Sequence, residues 1–320
     1  MISPDADERV VDGKMEVSTE EILVSPTDRL VNDDQSRRGG LRQAHASSAS
    51  AALREVTMIT ERLLARFIGT FVLLNLLPAV AWADDLDRLL ETGVVRVAVP
   101  QDLPPFGSIV DGAPRGYDVD VARLLAADLG GRLELVAVTS PNRIAALLTH
   151  RADLVIANLG ITPERAKAIS FSTPYAPFFS AVFGAPDLAV KGLADLLGRK
   201  TAVTRDTIED GELARIAPQG AEIVRFDDND ATMSAFLSGK ADLIATGNVV
   251  MAAVLKQHPE RRIESKFLLK ESPAAIGVRH EEPGLLNWVN VFVFHKKLSG
   301  DLDRLSRQWF GEPLRPLPVL

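Results

Sequence analysis

Ile144–Gly160 reads IAALLTHRADLVIANLG and Met233–Val249 reads MSAFLSGKADLIATGNV, and the two align without a gap at an offset of 89 residues. Ala146/Ala235, Leu148/Leu237, Ala152/Ala241, Asp153/Asp242 and Leu154/Leu243 are identical, while Thr149/Ser238, Arg151/Lys240 and Val155/Ile244 are conservative. Each copy begins with apolar residues at helical spacing, breaks at a polar turn and resumes as an apolar run of strand length. A helix–turn–strand unit also arises by convergence, so the neighbouring elements must decide whether this is a repeat.

Around the first copy, Val94–Val99 (VVRVAV) is a β-branched run suited to a buried strand. Tyr117–Leu129 sets Val119, Val121, Leu124, Leu125 and Leu129 at helical spacing, with Gly130-Gly131 as the stop. Leu133–Val138 then reads as strand, Ile144–Thr149 as helix and Leu154–Ala157 as strand. Around the second copy the order is strand Thr201–Val203, helix Thr207–Ile216, strand Glu222–Phe226, helix Ala231–Ser238 and strand Leu243–Thr246. Two helical segments follow, Pro283–Ser299 and Asp301–Phe310. Such alternation predicts parallel sheets in an α/β fold, and with the repeat it predicts two similar lobes. In open α/β sheets ligands bind beyond the carboxyl ends of the strands. Asn158-Leu159-Gly160 and Thr246-Gly247-Asn248 are therefore expected to face one another across an interlobe cleft.

The chain has 320 residues, a formal charge of −7, 46% hydrophobic and 25% charged residues, which suits a globular protein of one or two domains. The acidic balance argues against nucleic acid as a partner. With no cysteine, disulfides, thiolate nucleophiles and Cys-based metal sites are excluded.

Residues 1–57 lack apolar periodicity and read as a disordered extension. Met58 opens a different pattern: Arg62 and Arg66, the charge-free run Phe67–Leu77, Pro78, then Ala81-Trp82-Ala83. A basic segment, a short apolar core and an A-x-A site describe a secretory signal peptide over 58–83, cut after Ala83, with Met58 as the candidate true start. The rival, a membrane anchor, needs roughly 20 apolar residues. The run falls short of that, so the mature chain is expected to be exported to the periplasm.

Catalytic motifs are missing: no G-x-G-x-x-G, no phosphate-binding P-loop, no H-E-x-x-H and no G-x-S-x-G. The five histidines show no ligand spacing, and neither metal nor cofactor is implied. Asp118 and Asp120 flank a helix start and read as caps, as do Asp227, Asp228 and Asp230. Trp288, Trp309 and Phe310 read as core. What remains is Ile161-Thr162-Pro163-Glu164-Arg165, where Thr162 suits an N-cap and Pro163 the first helical turn. Arg165 there fits either a solvated surface residue or a two-pronged donor to a carboxylate in the cleft.

From Val94 to Gly311 the sequence resembles the family 3 bacterial extracellular solute-binding proteins, the receptors of polar amino-acid ABC transporters. The matching segments are Pro104-Pro105-Phe106, Gly116-Tyr117-Asp118-Val119-Asp120, Asn142-Arg143-Ile144, Ala152-Asp153-Leu154, Asn158–Arg165, Phe171–Tyr175, Phe226-Asp227-Asp228 and Trp309-Phe310-Gly311. The resemblance implies the two-lobe, periplasmic-binding-protein-like (type II) α/β fold. Lobe 1 would span 84–182 plus 277–320 and lobe 2 183–276, with Ser180–Ala185 and Ala274–Val278 as hinge strands. It implies a carboxylate-binding arginine at Arg165, strand-tail contacts at Ala157, Asn158 and Gly160, and a second-lobe contact at Thr207. Arg143 matches an arginine of members that take acidic or polar ligands, and Phe106 belongs to the site segment whose usual aromatic lid is here Leu103. The partners implied are a carboxylate or amino-acid ligand and an inner-membrane ABC permease, the protein acting as a monomer.

One departure bears on the ligand. The aspartate that commonly holds the ligand ammonium falls on Gly247, beside Asn248; Asp206, next to Thr207, is the substitute the sequence offers. Two rival readings share the fold. One is a cyclohexadienyl dehydratase-like enzyme, which needs a buried acid in the cleft, and the missing aspartate removes the obvious one. The other is a sensory module, which would carry a membrane helix and signalling domain after the lobes. A non-enzymatic binding protein is the expectation.

Overall fold

The structure, a computed structural model, describes residues 85–318. The expected 1–57 extension and the 58–83 signal peptide lie outside the described residues. A helix, α1 (Asp85–Thr92), leads into β1 (Val94–Pro100), whose β-branched run is largely buried. A small antiparallel sheet follows, made of β2 (Asp102–Leu103), β3 (Gly107–Val110) and β4 (Ala113–Arg115). Strands this short hold too few residues to show alternation, and the sequence did not reveal them. Next come α2 (Tyr117–Leu129), β5 (Arg132–Val138), α3 (Arg143–Leu148), β6 (Leu154–Gly160) and the short β7 (Ser170–Phe171). The second half runs β8 (Phe179–Gly184), β9 (Lys200–Thr204), α4 (Ile208–Ile216), β10 (Glu222–Phe226) and α5 (Asn229–Leu237). It continues with β11 (Leu243–Gly247), α6 (Asn248–Gln257) and β12 (Glu264–Glu271). The chain then returns to the first half with β13 (Ala274–Val278), α7 (Pro283–Leu298) and α8 (Asp301–Phe310).

The strands build two five-stranded sheets of one topology, β5-β1-β6-β13-β7 and β10-β9-β11-β8-β12. In both, three parallel strands end at a central strand, β6 or β11, whose other neighbour is antiparallel. The repeated segment supplies that central strand each time. Its turn is the same in both copies, with His150 at φ 55 and Gly239 at φ 76. Its shared aspartate has the same task. Asp153 N–H donates to Arg96 O at 2.8 Å while Asp153 Oδ2 accepts from Arg96 N–H at 2.8 Å; Asp242 repeats the exchange with Lys200 at 2.9 and 2.8 Å. A carboxylate at the strand entrance thus fixes register against the neighbouring strand, the physical reason for the repeated Ala-Asp-Leu.

Sheet membership changes twice, between Phe171 and Phe179 and between Glu271 and Ala274. The two crossing segments pair with each other through Ser272 N–H to Phe178 O and Ala274 N–H to Ala176 O, both 2.9 Å. The expected hinge strands, Ser180–Ala185 and Ala274–Val278, each coincide with a strand lying inside one sheet, so the crossings fall a few residues ahead of the 182/183 and 276/277 divisions. An extended segment has the same apolar pattern in a sheet as between two, which is why the pattern could not place them.

The paired aspartates differ in setting. Asp153 is wholly buried and also accepts from the Arg88 and Arg96 guanidiniums at 2.6 Å, whereas Asp242 is exposed. Asp153→Ala should cost about 3 kcal/mol, the low end for removing one partner of a buried ion pair because both arginines stay a third exposed. Asp242→Ala should cost about 1 kcal/mol. Urea unfolding midpoints compare the two, and equal losses would contradict this account.

Candidate functional site

The carboxyl ends of β6 and β11 meet at a cavity between the lobes, with about 20 Å³ of free space, room for one water. Ser140, Arg143 and Asn158 wall it from the first lobe, and Thr204, Glu209 and Thr246 from the second. A wider cavity of about 770 Å³ shares Ser140, Arg143, Thr207 and Ile208 with it and reaches Arg165 and Asp206. Strand tails predicted to face each other do so here, since Asn158 and Thr246 line one space.

Arg143, the first residue of α3, is 4% exposed; its Nη1 donates to Ala157 O at 2.8 Å and Asn158 O at 3.2 Å. Its Nε is buried with no partner. Burial, then the nearby Arg165 charge, holds Arg143 down to about 9, with Glu209, Tyr175 and Asp118 opposing. It is therefore still a cation at neutral pH. Arg165 donates from Nη1 to Gly160 O at 2.8 Å and from Nη2 to Asp206 O at 2.5 Å, so one side chain reaches from the first lobe to the second. Burial lowers its pKa also.

The helix expected from Thr162 is not formed. Thr162 Oγ1 accepts from Arg165 N–H at 3.1 Å, but only a single 3₁₀ turn, Arg165–Lys167, follows. Two α-type bonds close, Ala166 N–H to Thr162 O at 2.9 Å and Ile169 N–H to Arg165 O at 3.1 Å, but they are not consecutive, and the chain re-enters the sheet at Ser170 before a helix can continue. Arg165 therefore acts through its side chain, without a helix end behind it.

Beneath Asn158 lies a buried polar chain. Asn158 sits at φ 45, its N–H donating to Tyr175 Oη at 3.3 Å, and Tyr175 Oη donates to Asp118 Oδ1 at 2.6 Å. Asp118, read as a helix cap, is instead wholly buried, and Gly116 caps α2 with no side-chain bond. The spacing that suits a cap also turns this side chain inward toward Tyr175. Burial raises the Asp118 carboxyl to about 7, against the lowering effect of its bonds to Tyr175 and Asn158. Asp228 is a true cap, accepting from Ala231 N–H at 2.6 Å.

In the second lobe, Thr207 caps α4: its hydroxyl accepts from Asp210 N–H and donates to Thr204 O. Asp206, at φ 57, is exposed, and it is its carbonyl that meets Arg165. Phe106 is not at the cleft surface. It is fully buried, with ring centroids 5.8 Å from Phe178 and 5.1 Å from Phe310, an apolar ring packed into the core below the site. Leu103 does line the cavity. Gly247 has no room for a side chain, because a Cβ there would lie 2.3 Å from the Phe178 ring. The neighbouring Asn248 opens α6 with a buried, unpartnered Oδ1. Gly160 likewise leaves no space, a Cβ meeting Ser272 Oγ at 2.4 Å and Ile208 at 2.7 Å from the facing lobe.

Three functional positions escaped the sequence reading. Glu209, in the first turn of α4, is 4% exposed, lines the cavity and accepts from Ser180 Oγ at 2.9 Å. The cleft therefore has its buried carboxylate, contrary to the expectation drawn from Gly247. The signal was there: Glu209 precedes the buried Leu213 by one helical turn, on the apolar face. Asp102 and Asn229 join the lobes, Asn229 N–H donating to Asp102 Oδ2 at 2.7 Å and its amide to Ser140 Oγ at 3.3 Å.

Residues 95–312 match the profile of the bacterial extracellular solute-binding proteins, family 3. The chain belongs to this family. Among family relatives, the L-cystine-binding protein of Escherichia coli K12 is 27% identical over 236 residues, 72% of this chain and 88% of that one. Cyclohexadienyl dehydratase of Pseudomonas aeruginosa is 32% identical over 181 residues, 55% and 67% of the two chains. The solved L-cysteine receptor of Neisseria gonorrhoeae superposes with a TM-score of 0.66 at 30% identity, covering 70% of this chain and 92% of the other. The fold is thus the type II, two-lobe fold of solute-binding proteins, and most of the similar proteins are binding proteins, with the dehydratase an enzyme among them.

In this solute-binding protein the Asp118 carboxyl carries its raised value only when folded, so the native state holds a proton that the unfolded chain has lost. Stability contributed at this position is full below about pH 4 and falls as pH rises toward 7, by up to roughly 4 kcal/mol. Asp118→Asn keeps an acceptor for Tyr175 and removes the titration. Its melting temperature should match wild type at pH 4 and exceed it at pH 8; parallel profiles would contradict the assignment.

Proposed function

We propose that the chain captures a small carboxylate-bearing solute, of the polar amino-acid class, between its lobes and delivers it to the permease of an ABC transporter. The observation that carries this reading is the pair of guanidiniums, Arg143 and Arg165, whose hydrogen bonds go to the carbonyls of Ala157, Asn158, Gly160 and Asp206. A buried and a half-buried cation held by neutral dipoles favour an incoming anion, and the planar guanidinium fork matches a carboxylate. Arg143 Nε is a buried donor still free for it. Asn158, Gly160, Ala157 and Thr207 position the cage, Asp206 borders the wider cavity beside Arg165, and Asn248 follows the β11 strand tail. The names of relatives that bind L-cystine and glutamine, the latter an ABC transporter protein, support the amino-acid and transporter assignments. The family description as extracellular and the signal-peptide pattern of 58–83 support a periplasmic receptor. Closure of the lobes by population shift then reports occupancy to the permease.

A dehydratase reading gains from one observation, the buried Glu209, whose pKa burial raises. It is ranked second because that carboxylate is engaged by Ser180 and lies among arginines that stabilise its charge.

Calorimetry with the standard L-amino acids and L-cystine should reveal a binder. Arg165→Ala should weaken that binder by about 2–5 kcal/mol, roughly 30-fold to several thousandfold, and Arg165→Lys should recover part. Wild-type affinity in Arg165→Ala, or absence of any binder together with turnover of prephenate, would overturn the proposal.

A further inference from the structure

The repeat that builds the two sheets is broken at one place, and the break leaves an apolar helix face open. In the second lobe α6 follows the central strand, and its Val250 and Val254 share a cavity of only about 130 Å³ with Met233 and Leu237 of α5. In the first lobe the 3₁₀ turn Arg165–Lys167 stands in that place. The counterpart residues on α3, Ile144 and Leu148, therefore line the cavity of about 770 Å³, and Leu148 is 47% exposed where Leu237 is half-buried. Pro141, one turn earlier, extends the same stripe. From the second lobe, Ile208 and Gly211 of α4 line this cavity too. Gly211 lies inside the helix, where glycine is unfavourable relative to alanine, yet a Cβ there would meet nothing within 4 Å. Among the described residues nothing requires glycine at this position, and the missing side chain serves only to widen the cavity.

We propose that this cavity seats an apolar chain or ring of the solute whose carboxylate meets Arg165, so that the ligand is larger than a free polar amino acid: such a head joined to an apolar substituent. This rests on the carboxylate-binding reading above and names the remainder of the ligand. The inner cavity has room for one water while Asn229 holds Asp102 and Ser140 across the gap, so it has no space for a solute body. The wider cavity adjoins it through Ser140, Arg143, Thr207 and Ile208 and also borders Arg165, so a chain leaving the guanidiniums enters it directly. Its walls come from both lobes. An apolar group between α3 and α4 is therefore buried by closure and adds its own area to the preference for the closed form. At the rim Glu212 accepts from Arg215 and from Lys270 Nζ, the latter at 3.2 Å, so these charges are already paired with each other.

The test is calorimetry with a series of L-2-aminoalkanoic acids, from L-alanine to L-2-aminodecanoic acid, on wild type, Gly211→Leu and Leu148→Lys. The series keeps one head and lengthens the chain. Wild type should gain about threefold in affinity per added methylene, so that L-2-aminooctanoic acid exceeds L-alanine by at least about 30-fold. Gly211→Leu fills the cavity and Leu148→Lys puts a charge in its wall; each should erase most of that gain and leave the affinity for L-alanine unchanged. Both positions are exposed, and the melting temperature of Gly211→Leu should equal or exceed that of wild type, since a good helix former replaces glycine. A gain with chain length that survives both substitutions would place the chain elsewhere and overturn the proposal. Affinity independent of chain length overturns it while leaving the carboxylate reading intact, and absence of binding across the whole series overturns both.

Discussion

A buried guanidinium, Arg143, and a half-buried one, Arg165, both compensated by backbone carbonyls, set the terms for the rest of the cleft. Arg143 holds the carbonyls of Ala157 and Asn158, and Arg165 holds those of Gly160 and Asp206. Taking a charge out of water is expensive unless polar groups replace the solvent, so the end of β6 must present its carbonyls in one arrangement. Asn158 at positive φ gives that arrangement, and the Tyr175 hydroxyl, oriented by Asp118, supports it from below. The aromatic layer of Phe106, Tyr117, Tyr175 and Phe310 then keeps this polar chain out of water.

The same interactions tie packing to motion. Arg165 to Asp206, Asn229 to Asp102 and Asn229 to Ser140 all cross from one lobe to the other, and Gly160 lets the lobes approach where any side chain would collide with Ile208. These are contacts that exist only when the lobes are together, the kind of differential interaction by which a ligand shifts a two-state equilibrium. The crossings at Ser172–Phe178 and Ser272–Pro273, paired by two hydrogen bonds of 2.9 Å, are where the chain passes from one lobe to the other. In the proposed function, a solute would add to this set by joining the arginines of one lobe to the second.

Much of the fold was legible because repetition amplified weak signals. The Ala-Asp-Leu echo, the β-branched β1 and the glycine stop after α2 located the central strand of each sheet and its helices. Arg143, Arg165, Asn158 and Thr207 were legible through the family pattern, and the structure groups them around adjoining cavities. What escaped depended on contacts far apart in sequence. Phe106 looks like a site residue by position, yet its ring packs against Phe310, over two hundred residues away. Gly247 looks like a lost function until Phe178 is seen occupying its space. Glu209 carries a carboxylate at a helix start, which composition assigns to the dipole, and only the fold of β8 against α4 buries it beside Ser180. The crossings lacked any local marker.

Native mass spectrometry of the protein purified from periplasm under gentle conditions reads the content of the cleft without assuming a ligand. A retained small molecule bearing both a carboxylate and an amine, released when Arg165 is replaced by alanine, is the expected result. A retained molecule with no carboxylate, or one that stays bound in the Arg165→Ala variant, would contradict the claim that the two guanidiniums hold the solute.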